Sequence, residues 1–162
     1  MTTPRIDIPD GPGDPEVRVW ALRPEMGMGA GALSHAIYDQ SIVPVREREL
    51  ARMRIAQING CLICRQWRKT KGAADALTEA DYSHVEEWAT YAGYDERDRL
   101  AVEYAERFAL DHQNLDDAFW TRMKAAYSDA EILDLTVCIG GWIGMGRTLQ
   151  VLGIDSYCAL PH

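Results

Sequence analysis

Through most of this chain apolar side chains recur every third or fourth position, the period of an amphipathic helix, and no stretch alternates apolar and polar residues long enough to predict a strand. Leu50, Met53, Ile55 and Ile58 mark a helix over residues 44–58, with Pro44 suited to its first turn, Glu47 and Glu49 toward its positive end, and Asn59-Gly60 as its stop. Before it, Met28, Leu33, Ile37 and Tyr38 share a helical face within residues 24–40, predicting a helix that ends near Ser41. After it, Cys61 opens a helix running to about Leu77, with Arg65, Arg68, Lys69 and Lys71 on a solvated side. Residues 44–77 therefore predict an antiparallel helical hairpin. Thr78-Glu79-Ala80-Asp81 starts a short helix that ends before Gly93. Asp95 opens a longer one through Leu110, with Leu100, Val102, Tyr104, Ala105 and Phe108 as its apolar members. Asp116 or Asp117 caps a helix carrying Phe119, Trp120, Met123 and Tyr127, and Ser128-Asp129-Ala130-Glu131 is a capping box before a final long helix.

That final helix is apolar almost all round and contains Gly140, Gly141, Gly144 and Gly146. Each glycine costs about 1 kcal/mol relative to Ala in a helix, so together they predict close helix contact in a buried or subunit-facing position. Residues 1–15 hold Pro4, Pro9, Pro12 and Pro15 with Gly11 and Gly13, a composition that predicts an extended arm over roughly the first 20 residues. The glycines at 27, 29 and 31 lack a preceding strand and do not predict a nucleotide loop. The fold class is all-α: one helical bundle over residues 1–162 with an extended Pro-rich N-terminal arm.

A net charge of −8, with no cluster of basic residues, argues against nucleic acid as a partner. Met1 to Asp7 lack the basic and apolar regions of a secretory signal, and the most apolar stretch, Leu135 to Met145, is about half the length needed to span a bilayer. A cytoplasmic protein with no membrane partner and reduced thiols is expected.

Four cysteines change the picture. Cys61 and Cys64 are two residues apart at a predicted helix start, which places both sulfurs on one turn within reach of a disulfide. The positive helix end favours a thiolate. A thiolate that attacks a peroxide or a partner disulfide can be resolved by its neighbour, so the pair is a complete redox couple. A zinc site is not expected, because no second close Cys or His pair occurs, and two inert core cysteines are the competing reading. Cys138 is expected in the core, and Cys158 has no identifiable partner. Glu49 lies twelve residues before Cys61, about 15 Å back along the first helix, roughly level with the turn after Cys64 on the returning one. If the two faces meet, a proton relay can form.

The stretch Glu49-Leu50-Ala51-Arg52-Met53-Arg54-Ile55-Ala56-Gln57-Ile58-Asn59-Gly60-Cys61-Leu62-Ile63-Cys64 resembles the core of the carboxymuconolactone decarboxylase family, in its alkylhydroperoxidase D-like branch. A second block, Phe119 to Gly153, is similar as well, through its Ser128-Asp129-Ala130-Glu131-Ile132 start, its apolar helix, Arg147 and Leu152-Gly153. The resemblance implies an all-helical fold, a homo-oligomer (trimer or hexamer), and catalytic roles for Cys61, Cys64 and Glu49 with no cofactor and no metal. The family's histidine four residues after the second cysteine is replaced by Arg68, and the one just before that cysteine by Ile63. Arginine stays charged and does not pass a proton as imidazole does. If Arg68 paired with Glu49 it would weaken the carboxylate as a base.

The expected function is that of a thiol-dependent oxidoreductase, with a hydroperoxide or disulfide as substrate and a dithiol reductant protein as partner. The alternatives are a non-enzymatic or redox-responsive oligomer with a degraded relay and, ranked last, a lactone decarboxylase.

Overall fold

The computed structural model describes residues 3–68 and 77–154, and their regular structure is helical throughout. In chain order the α-helices are α1 (Pro15–Arg18), α2 (Pro24–His35), α3 (Val45–Ile58), α4 (Leu62–Gln66), α5 (Glu79–Ser83), α6 (Glu96–Asp111), α7 (Asp117–Ala126) and α8 (Asp129–Val151). A π turn over Ala36–Gln40 continues α2 toward Ser41. The predicted starts hold because side chains satisfy the first free amides. Thr78, Asp95 and Ser128 each form a reciprocal capping box with Asp81, Asp98 and Glu131, and the Asp116 carboxylate accepts the Phe119 N–H at 2.8 Å.

The centre of the bundle is α3, which packs on α6 and α8. Ala51 and Ile55 join a cluster with Ile37, Leu100, Phe119 and Ile139, while Leu50, Met53 and Ala56 join a second one with Tyr82, Val85 and Val102. Clusters on two sides leave α3 little solvent face, and Glu47, Arg48, Glu49 and Arg52 are buried with it. Buried charges persist only when paired. Accordingly Glu47 accepts from Arg97 at 2.9 Å, Arg48 donates to the Ile37 carbonyl at 3.1 Å, and Glu49 pairs with Arg52.

Three expectations are corrected. The helix opened at Cys61 stops at Gln66 rather than continuing to Leu77, because guanidinium groups take the carbonyls that would continue it. Arg52 donates to Cys64 O at 2.6 Å and Trp67 O at 3.0 Å, and Arg68 donates to Arg65 O at 2.6 Å. The returning arm of the predicted hairpin is thus a single short turn. Lys69 and Lys71, the side chain of Ile63, and Cys158 lie outside the described residues. The N-terminal arm is irregular only to Asp14, and it packs on its own chain. The Arg5 N–H donates to Leu152 O at 2.9 Å, and the backbone oxygen of Thr3 lies 2.7 Å from where a Cβ would stand on Gly153, whose φ is +67°.

The third correction concerns α8. Its 23 residues run through both Asp134 and Arg147, so by length and composition it is long enough to cross a membrane, with 22% of its most apolar stretch buried in this chain. Both charges tie it to its own bundle: Asp134 accepts from Ser41 Oγ at 2.6 Å and Ile42 N–H at 3.0 Å, and Arg147 donates to Asn59 at 3.0 Å. Of its glycines, Gly141 meets Ile37 and Gly146 meets Asn59, as close contact predicts, but the positions a Cβ would take on Gly140 and Gly144 face open space. Leu133 and Val137 are exposed on the same helix.

Candidate functional site

The site begins where α3 ends. Gly60 adopts φ +66°, a left-handed conformation that costs glycine little. The Gly60 N–H donates to Gln57 O at 3.0 Å, and the Cys61 N–H donates to Ala56 O at 3.0 Å. These two bonds make a Schellman closure, in which Cys61 is the residue that completes the helix end. Asn59 is held from α8 as well, by Arg147 at its side chain and by Gln150 at its carbonyl at 2.6 Å. The local sequence thus fixes where the chain turns, and α8 fixes the turn in place.

Immediately after this turn the Sγ atoms of Cys61 and Cys64 lie 2.6 Å apart, and the Cys64 N–H donates to the Cys61 sulfur at 3.3 Å. Cys61 is buried and Cys64 half-buried. Both line a cavity of about 240 Å³ whose walls come from α2, the π turn, α3 and α8, with Leu33, Ile37, Ile55, Trp142 and Leu149 making it apolar. Among its described lining residues Arg52 is the one charged side chain.

Glu49 does not line that cavity. Its carboxylate, 1% exposed, takes a two-pronged ion pair from Arg52, Nε to Oε1 and Nη2 to Oε2 both at 3.0 Å, and accepts the Tyr82 hydroxyl at 3.2 Å. Arg52 bridges the carboxylate and the turn that carries the sulfurs. Its Nη1 reaches Cys64 O, its Nη2 reaches Trp67 O, and its guanidinium lies 5.0 Å from the Trp67 ring. Burial disfavours the Arg52 charge, yet the Glu49 carboxylate more than offsets this and raises its pKa above the ordinary value. Arg68 does not touch Glu49. It pairs with Glu79 through two 3.0 Å bonds and lies 4.0 Å over the Tyr82 ring.

Two tyrosines flank this pair. Tyr38, in the cavity wall, is pushed up to about 12 chiefly by burial; the Arg52 charge opposes this, while the Glu49 charge adds to it. Tyr82 is pushed up to about 12, again by burial first and by Glu49 next. Both are therefore hydroxyl donors at neutral pH. Arg52, Tyr38 and Tyr82 were not singled out in the sequence as site residues. A signal existed only for Arg52, since Glu49 and Arg52 are three apart and neighbours on a helix surface. Tyr38 and Tyr82 arrive through tertiary packing alone. Cys138 lies in the core, where burial first and Asp134 next push its thiol up to about 12. Among the described residues no three His, Cys, Asp or Glu side chains converge to hold a metal ion.

Residues 24–107 match the model of the carboxymuconolactone decarboxylase family. The uncharacterized protein YnjA of Escherichia coli is 31% identical over 93 residues, 57% of this chain and 51% of YnjA, so the chain spans about half that relative's length. The uncharacterized protein YdfG of Bacillus subtilis is 25% identical over 101 residues, 62% of this chain and 69% of YdfG. The fold is shared with ATU0492 of Agrobacterium tumefaciens, a protein of unknown function and candidate antioxidant defence protein AhpD. That match has a TM-score of 0.69 at 23% identity and covers 88% of this chain and 96% of that one. The debrominase Bmp8 shares the fold as well, with a TM-score of 0.70 at 16% identity over 86% of this chain and 75% of its own. A cysteine-to-alanine variant of Bmp8 in complex with 2,3,4-tribromopyrrole matches at a TM-score of 0.69 with 15% identity, covering 86% of this chain and 74% of that one.

Proposed function

Because this chain belongs to the carboxymuconolactone decarboxylase family, we propose that its Cys61 and Cys64 work as a redox dithiol that reduces an apolar organic hydroperoxide. The observation that carries this reading is the pair of sulfurs, 2.6 Å apart, opening into an apolar cavity beside a buried guanidinium. Cys64, the more exposed of the two, meets the substrate. Its thiolate attacks the outer peroxide oxygen, the O–O bond breaks, and the sulfur becomes a sulfenic acid as the alkoxide leaves and takes a proton to become an alcohol. The Cys61 thiol then displaces water from that sulfenic acid, forming the disulfide. An external dithiol, a lipoyl or thioredoxin-type partner, exchanges with the disulfide, supplies the two electrons and two protons that restore both thiols, and leaves as its own disulfide.

An apolar cavity of about 240 Å³ selects a small organic molecule over a polar one. The test is turnover of cumene hydroperoxide with a dithiol reductant. Cys61→Ser and Cys64→Ser are each expected to abolish it, and mass analysis after one equivalent of peroxide is expected to show the Cys61–Cys64 disulfide. Activity persisting in both variants would overturn the dithiol mechanism, and thiols inert to peroxide would favour the redox-inactive scaffold instead. The Bmp8 fold match supports a second reading, in which the same two electrons remove a halogen from a small aromatic ring. Release of bromide from a bromopyrrole, one per disulfide formed, would distinguish it.

A further inference from the structure

The Arg52 guanidinium links Glu49 to the turn that carries the dithiol, and this order of contacts decides what the carboxylate can do. The contacts of Glu49 occupy it as a counter-ion: both oxygens are engaged by Arg52, and one also by the Tyr82 hydroxyl. The guanidinium in turn lines the cavity, anchored on Cys64 O and Trp67 O in the C-terminal part of the turn that carries the sulfurs. The groups around this centre come from four elements. Glu49 and Arg52 belong to α3, and Tyr38, from the π turn, is a neutral hydroxyl. Tyr82, from α5, is neutral too and screened by the Arg68–Glu79 pair, and α8 contributes apolar lining without charge.

We propose that Arg52 is the residue that sets the charge of the dithiol, and that Glu49 is a positioning residue acting through Arg52 rather than a base that takes the thiol proton. This rests on the dithiol reading above and assigns its electrostatics. A cation near a thiol favours the thiolate, and a carboxylate near it opposes the thiolate. The two roles for Glu49 therefore predict opposite signs. A base, once removed, slows thiolate formation. A counter-ion, once removed, leaves the guanidinium less compensated and speeds it.

The experiment is the pH profile of iodoacetamide alkylation on the reduced full-length protein, read by mass on the peptide carrying Cys61 and Cys64. Glu49→Gln is expected to alkylate about three- to tenfold faster than the parent at pH 7, with its profile shifted to lower pH, as roughly half to one unit of thiol pKa implies. Arg52→Met leaves the carboxylate uncompensated and is expected to be slower by a similar factor, with Arg52→Lys between it and the parent.

Removing one partner of a buried pair can prevent folding, whereas removing both is often tolerated. The double variant Glu49→Gln/Arg52→Met therefore supplies an independent comparison, and it is expected to alkylate faster than Arg52→Met alone. Circular dichroism establishes which variants are folded. A slower Glu49→Gln, or a double variant slower than Arg52→Met, would overturn the proposal while leaving the dithiol reading intact. A parent protein whose two thiols fail to alkylate below pH 9 would instead overturn the dithiol reading, and this one with it.

Discussion

Tyr82 shows how much of the site is settled one side chain at a time. Its hydroxyl is the third group on a buried carboxylate, its ring lies under Arg68, and burial holds it protonated. Tyr82→Phe removes one hydrogen bond to a charged acceptor that water cannot replace, and is expected to lower the unfolding free energy by about 1–2 kcal/mol in urea titration. At this scale the sequence was informative where chemistry is local. Cys61, Cys64 and Glu49 are legible as candidates because their spacing, two residues between the cysteines and twelve positions from the carboxylate to the first of them, is itself the signal. Tyr38 and Tyr82 were not, since their place at the site depends on how α2 and α5 dock, and nothing in their immediate neighbours encodes that.

Among the elements, the helix starts were the most legible feature, because capping boxes are local chemistry written within four residues. The one that opens α8 has a pH signature. The Glu131 carboxyl is held down to about 2, first by the Ser128 N–H, then by the Arg97 guanidinium, which also binds Glu47 and spans α3, α6 and α8. A carboxyl with a folded pKa below its unfolded 4.5 contributes stability that is full above about pH 4.5 and lost as pH falls toward 2. Glu131→Gln is therefore expected to lower the melting temperature at pH 6 by roughly 2–4 °C, a cap's worth of about 1 kcal/mol, with the difference closing below pH 3. Melts followed by circular dichroism check it. The end of α4 was illegible for the converse reason. Arg52 reaches its carbonyls from twelve residues upstream of Cys64, and no periodicity records a side chain that terminates another element's helix.

For the whole molecule, the sequence disclosed an all-helical bundle but not which helix would be central. Charge content marks α3 as a surface helix, yet pairing lets it take the middle, while the more apolar α8 keeps Leu133 and Val137 exposed. That face, with Gly140 and Gly144 open beside it, is where we propose that copies of this chain meet as a trimer or hexamer. A single chain has a mass of 18.2 kDa. Light scattering is expected to give a multiple of it, and Val137→Lys, which places a charge in an apolar contact, is expected to shift the mass to that of one chain without loss of helicity.

The turn bearing the sulfurs is fastened at both edges, by the Cys61 amide on the end of α3 and by the Arg52 guanidinium on Cys64 and Trp67. Such double fastening confines whatever rearrangement accompanies oxidation to a handful of residues. Under the proposed dithiol chemistry, electrons would enter and leave while the long helices stay still, with the bundle as a rigid socket around a small moving contact.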